Sequence, residues 1–139
     1  MTPSQIESVK ASFALVSPIA DQAGAMFYAR LFEIDPSVRP LFKHDIAEQS
    51  RKLMQMLAVA VNSLDNLDAI VPAVRALGAR HAGYGVRDRD YETVAQALLW
   101  TLRQGLGEAW TDEVESSWTA AYAILAGTMK TAAREAAAA

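Results

Sequence analysis

The sequence predicts an all-α protein that folds as one domain. Apolar residues recur at spacings of three and four along most of the 139 residues, and about a fifth of the residues are alanine, the strongest helix former. No segment convincingly alternates apolar and polar residues as a half-buried β-strand does. Because there is also no internal repeat or linker, residues 1–139 are predicted to form a single domain.

Prolines and capping residues divide the first part of the chain into helices. Thr2 and Gln5 have the spacing of a capping box, so the first helix is predicted to begin there. Pro18 ends or bends this helix, and Asp35-Pro36 ends the next one. The predicted elements are a helix from Pro3 to Pro18, a helix from about Ile19 to Ile34, and a short helical turn over Pro36 to Phe42.

Glycines and a threonine cap divide the rest of the chain. Gly83-Tyr84-Gly85 is a predicted C-terminal stop, and Thr111 followed by two acidic residues is a predicted helix start. Ala136 to Ala139 have nothing to bury and are predicted to fray. The predicted helices are Ala47–Leu64, Ile70–Ala82, Tyr91–Leu106 and a last helix from Thr111 through Met129.

Composition excludes several kinds of protein. A net charge of -3 offers no basic surface for nucleic acid, and the absence of cysteine removes disulfides, thiolate catalysis and cysteine-based metal sites. The first ten residues do not resemble a signal peptide. The most apolar stretch, Leu53 to Val61, is far shorter than the roughly 20 residues that span a bilayer. We therefore expect a soluble, cytoplasmic protein without a membrane span.

The two histidines are the candidate metal ligands. His81 follows Val74 and Leu77 on the apolar line of its helix, where one ring nitrogen can bind a metal while the other donates to the carbonyl one turn earlier. A core histidine satisfied by that same carbonyl fits the spacing equally well. His44 lies among charged residues and is interpreted as a solvated corner residue, although it could pair with Glu48 around a weakly held divalent ion.

Two polar residues accompany His81 in the pattern. The helix that carries Gln49 and Leu53 comes about one helix, one turn and one helix before His81 in the chain, so the two helices can pass on opposite sides of a flat group. Tyr28 adds a hydroxyl to the same apolar region. Each has an ordinary alternative: Gln49 half-exposed at a helix start, and Tyr28 as a core tyrosine with a hydrogen-bonded tip. Dinucleotide-loop and serine-triad patterns are absent from the sequence.

Several motifs occur together in a fixed order and spacing along the chain. They are Phe27-Tyr28-x-x-Leu31-Phe32, Asp35-Pro36-x-Val38-Arg39-Pro40-Leu41-Phe42, Gln49-Ser50-Arg51-Lys52-Leu53-Met54-Gln55, Arg80-His81 before Gly85-Val86, Tyr91, and Trp118-x-x-x-Tyr122. This pattern resembles the single-domain bacterial globins related to flavohaemoglobins, of the Vitreoscilla and Hell's Gate types, from the first helix to about Met129. The resemblance implies a three-on-three helical sandwich around a haem.

The resemblance also implies roles for individual residues. His81 corresponds to the proximal iron ligand, and Tyr28 with Gln49 to the polar pair on the other face of the haem. An acid that completes the arrangement around Tyr91 is expected near Ala132 or Ala133, whereas this chain offers Glu135. The remaining haem-contacting positions are Phe42, which packs on the porphyrin, Leu53 above the iron, Lys52 beside a propionate, and Met56, Leu77, Val86 and Tyr91.

The implied function is reversible binding of dioxygen, nitric oxide and carbon monoxide to haem b. Oxidation of nitric oxide to nitrate is a further implied activity, and it requires a separate reductase because we expect no reductase domain within 139 residues. The chain is expected to be a monomer or a weak homodimer. Two alternatives remain open at this point: a haem-based gas sensor that signals to a partner protein, and a haem-free helical domain with His81 in its core.

Overall fold

The computed structural model describes residues 1–42 and 45–138, and the histidine–acid pairing considered for His44 lies outside these residues. Within them the chain forms six α-helices and four short 3₁₀ helices, and no strand. The all-α prediction is therefore confirmed. The α-helices are α1 (Pro3–Val16), α2 (Ala20–Ile34), α3 (Ile46–Asn62), α4 (Val71–Gly83), α5 (Asp88–Leu106) and α6 (Asp112–Ala138); the 3₁₀ helices are Ser17–Ile19, Pro36–Leu41, Leu67–Ala69 and Gly107–Ala109.

The predicted helix starts have the predicted caps. Thr2 Oγ1 accepts a hydrogen bond from the Gln5 backbone N–H at 3.1 Å, and Gln5 Oε1 accepts one from the Thr2 N–H at 3.0 Å. Thr111 Oγ1 accepts from the Val114 N–H at 3.2 Å. Each bond satisfies a backbone donor that the first turn of a helix cannot pair internally, so capping residues locate these helix starts from the sequence alone.

The structure moves several predicted boundaries, three of them for an identifiable local reason. The segment around Pro18 is a 3₁₀ helix, so α2 begins at Ala20. α5 begins at Asp88 because the Asp90 carboxylate accepts from the Arg87 backbone N–H at 2.8 Å. α6 continues to Ala138, beyond the point where fraying is predicted, since alanine sustains a helix without burying a side chain.

The six helices form two layers of three, with α1, α3 and α4 packed on α2, α5 and α6. Close approach of α2 and α3 depends on Gly24, where an added Cβ would lie 2.8 Å from the Ser50 Cβ. α1 is joined to α6 by Trp118, whose Nε1 donates to the buried Ser12 hydroxyl at 2.8 Å. None of the helices in the described ranges is long and apolar enough to cross a membrane.

Candidate functional site

A cavity of about 330 Å³ lies between α3, α4, α5 and α6, with Phe27 of α2 in its wall. Its volume lies at the lower end of the range for small-molecule sites. Most of the lining side chains are aliphatic, so the cavity favours an apolar ligand. Its polar or charged lining residues are Arg80, His81, Asp90, Tyr91 and Tyr122.

His81 has one ring nitrogen occupied and one available. Its Nδ1 lies 2.8 Å from the carbonyl oxygen of Leu77, and because a carbonyl only accepts, Nδ1 carries the proton. This is the hydrogen bond that the sequence predicts. Burial lowers the pKa of the imidazole below its usual value, which favours the neutral ring. The Nε2 of such a ring has a free lone pair and can bind a metal.

The helix that carries His81 ends in a Schellman motif directly after it. The Val86 backbone N–H donates to the His81 carbonyl at 3.1 Å, and the Gly85 N–H donates to the Ala82 carbonyl at 3.1 Å. Gly85 has a φ of 89°, which an L-residue rarely adopts. The stop predicted at Gly83-Tyr84-Gly85 is thus present, and it turns the chain so that Val86 lines the cavity.

Six of the predicted site residues meet in this cavity. α3 contributes two of them and α4 two more, so the two helices face the same space as the sequence interpretation requires. Met56 on α3 is 42% exposed although its side chain lines the cavity, which places it at the entrance. The six residues are Leu53, Met56, Leu77, His81, Val86 and Tyr91.

The other four predicted residues lie outside the cavity lining. Tyr28 is buried beside Phe27, with ring centroids 4.9 Å apart, and Phe42 packs edge-on against Tyr28 at 5.2 Å. Gln49 is half-buried in the first turns of α3. Lys52 is exposed, with its Nζ 3.4 Å from the Glu48 carboxylate.

Sequence reasoning did not select several side chains that line the cavity. Phe27 precedes Tyr28 in the motif, and it is Phe27 that lines the cavity. Arg80 and Asp90 are charged, but Asp90 is only 3% exposed and is held by the Arg87 guanidinium at 3.0 Å. Since Asp90 is compensated, Arg80 is the cavity's charge without an ion-pair partner in the described ranges. Arg80 directly precedes His81 and Asp90 directly precedes Tyr91. This adjacency to predicted site residues could have identified both from the sequence.

The tyrosine at the back of the cavity has an unsatisfied hydroxyl. The Tyr91 phenol oxygen is buried and has no hydrogen-bond partner among residues 1–42 and 45–138. Tyr122 donates its own hydroxyl to the Tyr91 backbone carbonyl at 2.6 Å. Burial raises the pKa of both phenols, so both remain protonated donors at neutral pH. Glu135 pairs with Arg75 on α4, so its carboxylate is engaged by that cation.

A single imidazole in an otherwise apolar cavity does not by itself bind a free metal ion. No three histidine, aspartate or glutamate side chains cluster as a metal site in the part of the chain that the structure describes. The metal that such an imidazole suits is one already held by a largely apolar organic ring. Fold and cavity together place the chain among two-layered, all-helical proteins with an apolar cavity beside a histidine.

The chain belongs to the globin family, whose model matches residues 25–129. It is 30% identical over 129 residues to a flavohemoprotein of Vibrio cholerae, covering 91% of this chain and 33% of that protein. It is 33% identical over 130 residues to a flavohemoprotein of Bordetella parapertussis, covering 91% and 32%. The chain thus spans about a third of the length of these relatives, and the predicted resemblance to the flavohaemoglobin-related globins is confirmed.

A solved structure supports the same fold. The chain superposes with a TM-score of 0.89 and 28% identity on an engineered carbene transferase described as a putative nitric oxide dioxygenase from Rhodothermus marinus. The match covers 99% of this chain and 96% of the other. The predicted globin fold is therefore confirmed, and membership in the family implies that the chain binds haem.

Proposed function

We propose that this protein is a haem b globin that reversibly binds dioxygen and related diatomic gases, with His81 as the iron ligand. The observation that carries the proposal is the half-buried imidazole of His81, which lines the apolar cavity and has its Nδ1 engaged by the Leu77 carbonyl, so that Nε2 is left for a metal. A carbonyl that holds one ring nitrogen in this way fixes which nitrogen of a histidine binds a metal.

The residues present fit a haem. The aliphatic lining suits an apolar ring. The Tyr91 hydroxyl, which has no hydrogen-bond partner in the described part of the chain, leaves a donor for a polar group of the ligand or for an ordered water. Leu53 and Met56 on α3, with Leu77 and Val86 on the side of His81, would contact the ring. The chain has no cysteine and therefore cannot form the thioether bonds of c-type haem, which supports haem b.

Two cations are candidates for the carboxylates of the haem. The resemblance assigns Lys52, but its ammonium pairs with Glu48 and is exposed. Arg80 lines the cavity and is the better placed of the two. Phe42 contacts Tyr28 and Phe32, and its proposed role is to pack on the porphyrin, as the resemblance implies.

When bound, the haem would supply an iron that takes a diatomic gas, and the polarity around it would decide how strongly. Tyr28 and Gln49 are the proposed hydrogen-bond donors to the gas. Burial raises the pKa of Tyr28 to about 12, so its hydroxyl keeps a proton to donate at neutral pH. Such a donor would favour dioxygen over carbon monoxide, because carbon monoxide is the weaker hydrogen-bond acceptor.

The first test is an absorption spectrum of the purified protein. We expect a haem spectrum that shifts when carbon monoxide is added to the reduced protein, and that is lost in His81→Ala. His44→Ala, which removes the chain's other histidine, is the matched control and keeps the spectrum. A His81→Ala protein with an unchanged spectrum would show that another group holds the iron.

The second test concerns the distal donor. Tyr28→Phe removes one hydrogen bond of about 1 kcal/mol, so dioxygen is expected to dissociate roughly fivefold faster while carbon monoxide dissociation changes little. Stopped-flow measurement of both rates on the same preparation checks this. Equal acceleration of the two gases would mean that Tyr28 acts on the shape of the pocket and not as a donor.

Oxidation of nitric oxide is the second candidate function, and the description of the Rhodothermus marinus structure favours it. The overall reaction combines nitric oxide, dioxygen and one electron into nitrate. We propose that the electron comes from a separate reductase. Loss of nitric oxide from a dioxygen-equilibrated solution, with nitrate formed over many turnovers only when a reductant is present, would support this activity. If each protein molecule consumes nitric oxide only once even when reductant is present, the protein would instead store gas or sense it through a partner protein.

A further inference from the structure

α4 rests directly on the backbone of α6 at one residue. A Cβ added to Gly78 would lie 2.4 Å from the carbonyl oxygen of Met129 and 2.6 Å from its Cα. Carbon atoms of side chains essentially never approach backbone that closely, and backbone cannot rotate away as a flexible side chain does. Gly78 is also buried. The two helices can therefore lie this close together only when residue 78 is glycine.

This contact lies one helical turn before His81. Residues three apart on a helix are neighbours on its surface, so Gly78 and His81 move together when the helix is displaced. The Arg75–Glu135 ion pair joins the same two helices one turn earlier. Leu77, between them, points into the cavity and accepts the hydrogen bond that orients the His81 ring. α6 thereby supports the turn that presents the imidazole.

We propose that Gly78 is a positioning residue that fixes the depth at which His81 enters the cavity, by letting α4 lie against the backbone of α6. Alanine at this position would force the helices apart by about 1 Å, the difference between 2.4 Å and the 3.4 Å at which ordinary contact begins. The proposal rests on the proposed function only for the role of His81 as a haem ligand.

The first experiment uses the purified wild-type protein as it is isolated. Amide hydrogen exchange is measured along α4, and residues 78–82 are expected to be protected because α6 holds them in place. Exchange at the rate of an unstructured peptide would overturn the proposal. The readout is protection of the backbone, so its outcome is distinct from that of the spectral test of His81.

The second experiment compares Gly78→Ala with two matched controls after haem is bound. Gly83→Ala on α4 and Gly127→Ala on α6 add the same methyl group where no atom lies within 4 Å. All three changes raise helix propensity alike, so a difference between them reports the contact. The iron–imidazole stretching band of the ferrous protein is expected to shift in Gly78→Ala beyond the range spanned by the wild type and the controls.

A Gly78→Ala band within that range would overturn the proposal, even if the variant were less stable. If Gly78→Ala does not fold with haem, the exchange experiment on the wild type decides alone. Where the variant folds without haem, exchange at residues 78–82 is expected to be faster than in either control by roughly tenfold or more.

Discussion

Arg80 is the charged cavity residue that has no ion-pair partner within residues 1–42 and 45–138, so its charge can act on a ligand. The carboxylates of haem would gain an ion pair with it, of at most about 1 kcal/mol because the guanidinium is exposed. Arg80→Gln is therefore expected to speed haem loss up to about fivefold. Haem dimethyl ester, which lacks the two charges, serves as the comparison ligand and should be lost at the same rate from both proteins.

Lys52→Gln is the matched control for this prediction, since Lys52 is also exposed and already pairs with Glu48. Transfer of haem to an excess of a haem-free globin gives the rates. A larger effect of Lys52→Gln than of Arg80→Gln would restore the assignment that the family resemblance implies. Acceleration that is equal for haem and its ester would show that Arg80 acts by packing.

Site residues can be predicted from the sequence where they lie on the same face of a single helix. His81 and Leu77 lie on one line of a single helix, and the structure places both in the cavity. Tyr28 is different: Phe27 and Tyr28 are adjacent, both are buried, and the sequence cannot tell which of them faces the cavity. Arg80 was missed because an exposed arginine beside a histidine looks like any solvated charge until the neighbouring helix is in place.

The turn after α4 depends on one backbone conformation. Gly85 has a φ of 89°, and the nearest atom to an added Cβ is the Leu41 Cδ2 at 3.8 Å, so space is available and only the backbone is strained. Gly85→Ala is expected to lower the free energy of unfolding by about 1–2 kcal/mol. Gly83→Ala, two residues earlier and helical, should be neutral or stabilising.

Urea unfolding of the two variants checks this prediction, with the slopes compared to ensure that the same surface is exposed. A Gly85→Ala protein as stable as Gly83→Ala would mean that the Schellman bonds are not required at this turn. Because Val86 follows directly, the Gly85 variant is also expected to lose haem faster.

Capping residues and prolines predict which helices are present, but they predict the exact first and last residues of each helix less well. Thr2 and Thr111 cap as the sequence indicates. The segment around Pro18 and the start at Asp88 differ by a turn or less, because 3₁₀ geometry and the Asp90 side-chain bond depend on local angles that residue type does not determine. The predicted turn after Asp35 is present as a 3₁₀ helix, since Pro40 has no N–H to continue an α-helix.

At the scale of the whole molecule, a buried hydrogen bond joins the first helix to the last. Trp118 Nε1 donates to Ser12 Oγ, 106 residues apart in the chain. Ser12→Ala would leave this donor buried and unpaired, so a loss of about 1–3 kcal/mol in unfolding free energy is expected. In a Trp118→Phe background the same Ser12→Ala change should cost little.

The double-mutant cycle from urea unfolding of the four proteins gives the coupling energy. A coupling near zero would show that the two side chains contribute only by packing. The two-layer arrangement itself was predictable through the family resemblance. The pairing of Trp118 with Ser12 was not, because no local pattern connects positions so distant in the chain.

The partly exposed thioether of Met56 at the cavity entrance has a chemical consequence. Peroxide converts methionine to its sulfoxide, which is polar and chiral where the thioether is apolar and flexible. At this position the sulfoxide would introduce a strong acceptor at the entrance of an otherwise apolar cavity. Oxidation of this one sulfur would thus make the entrance less favourable for an apolar ligand.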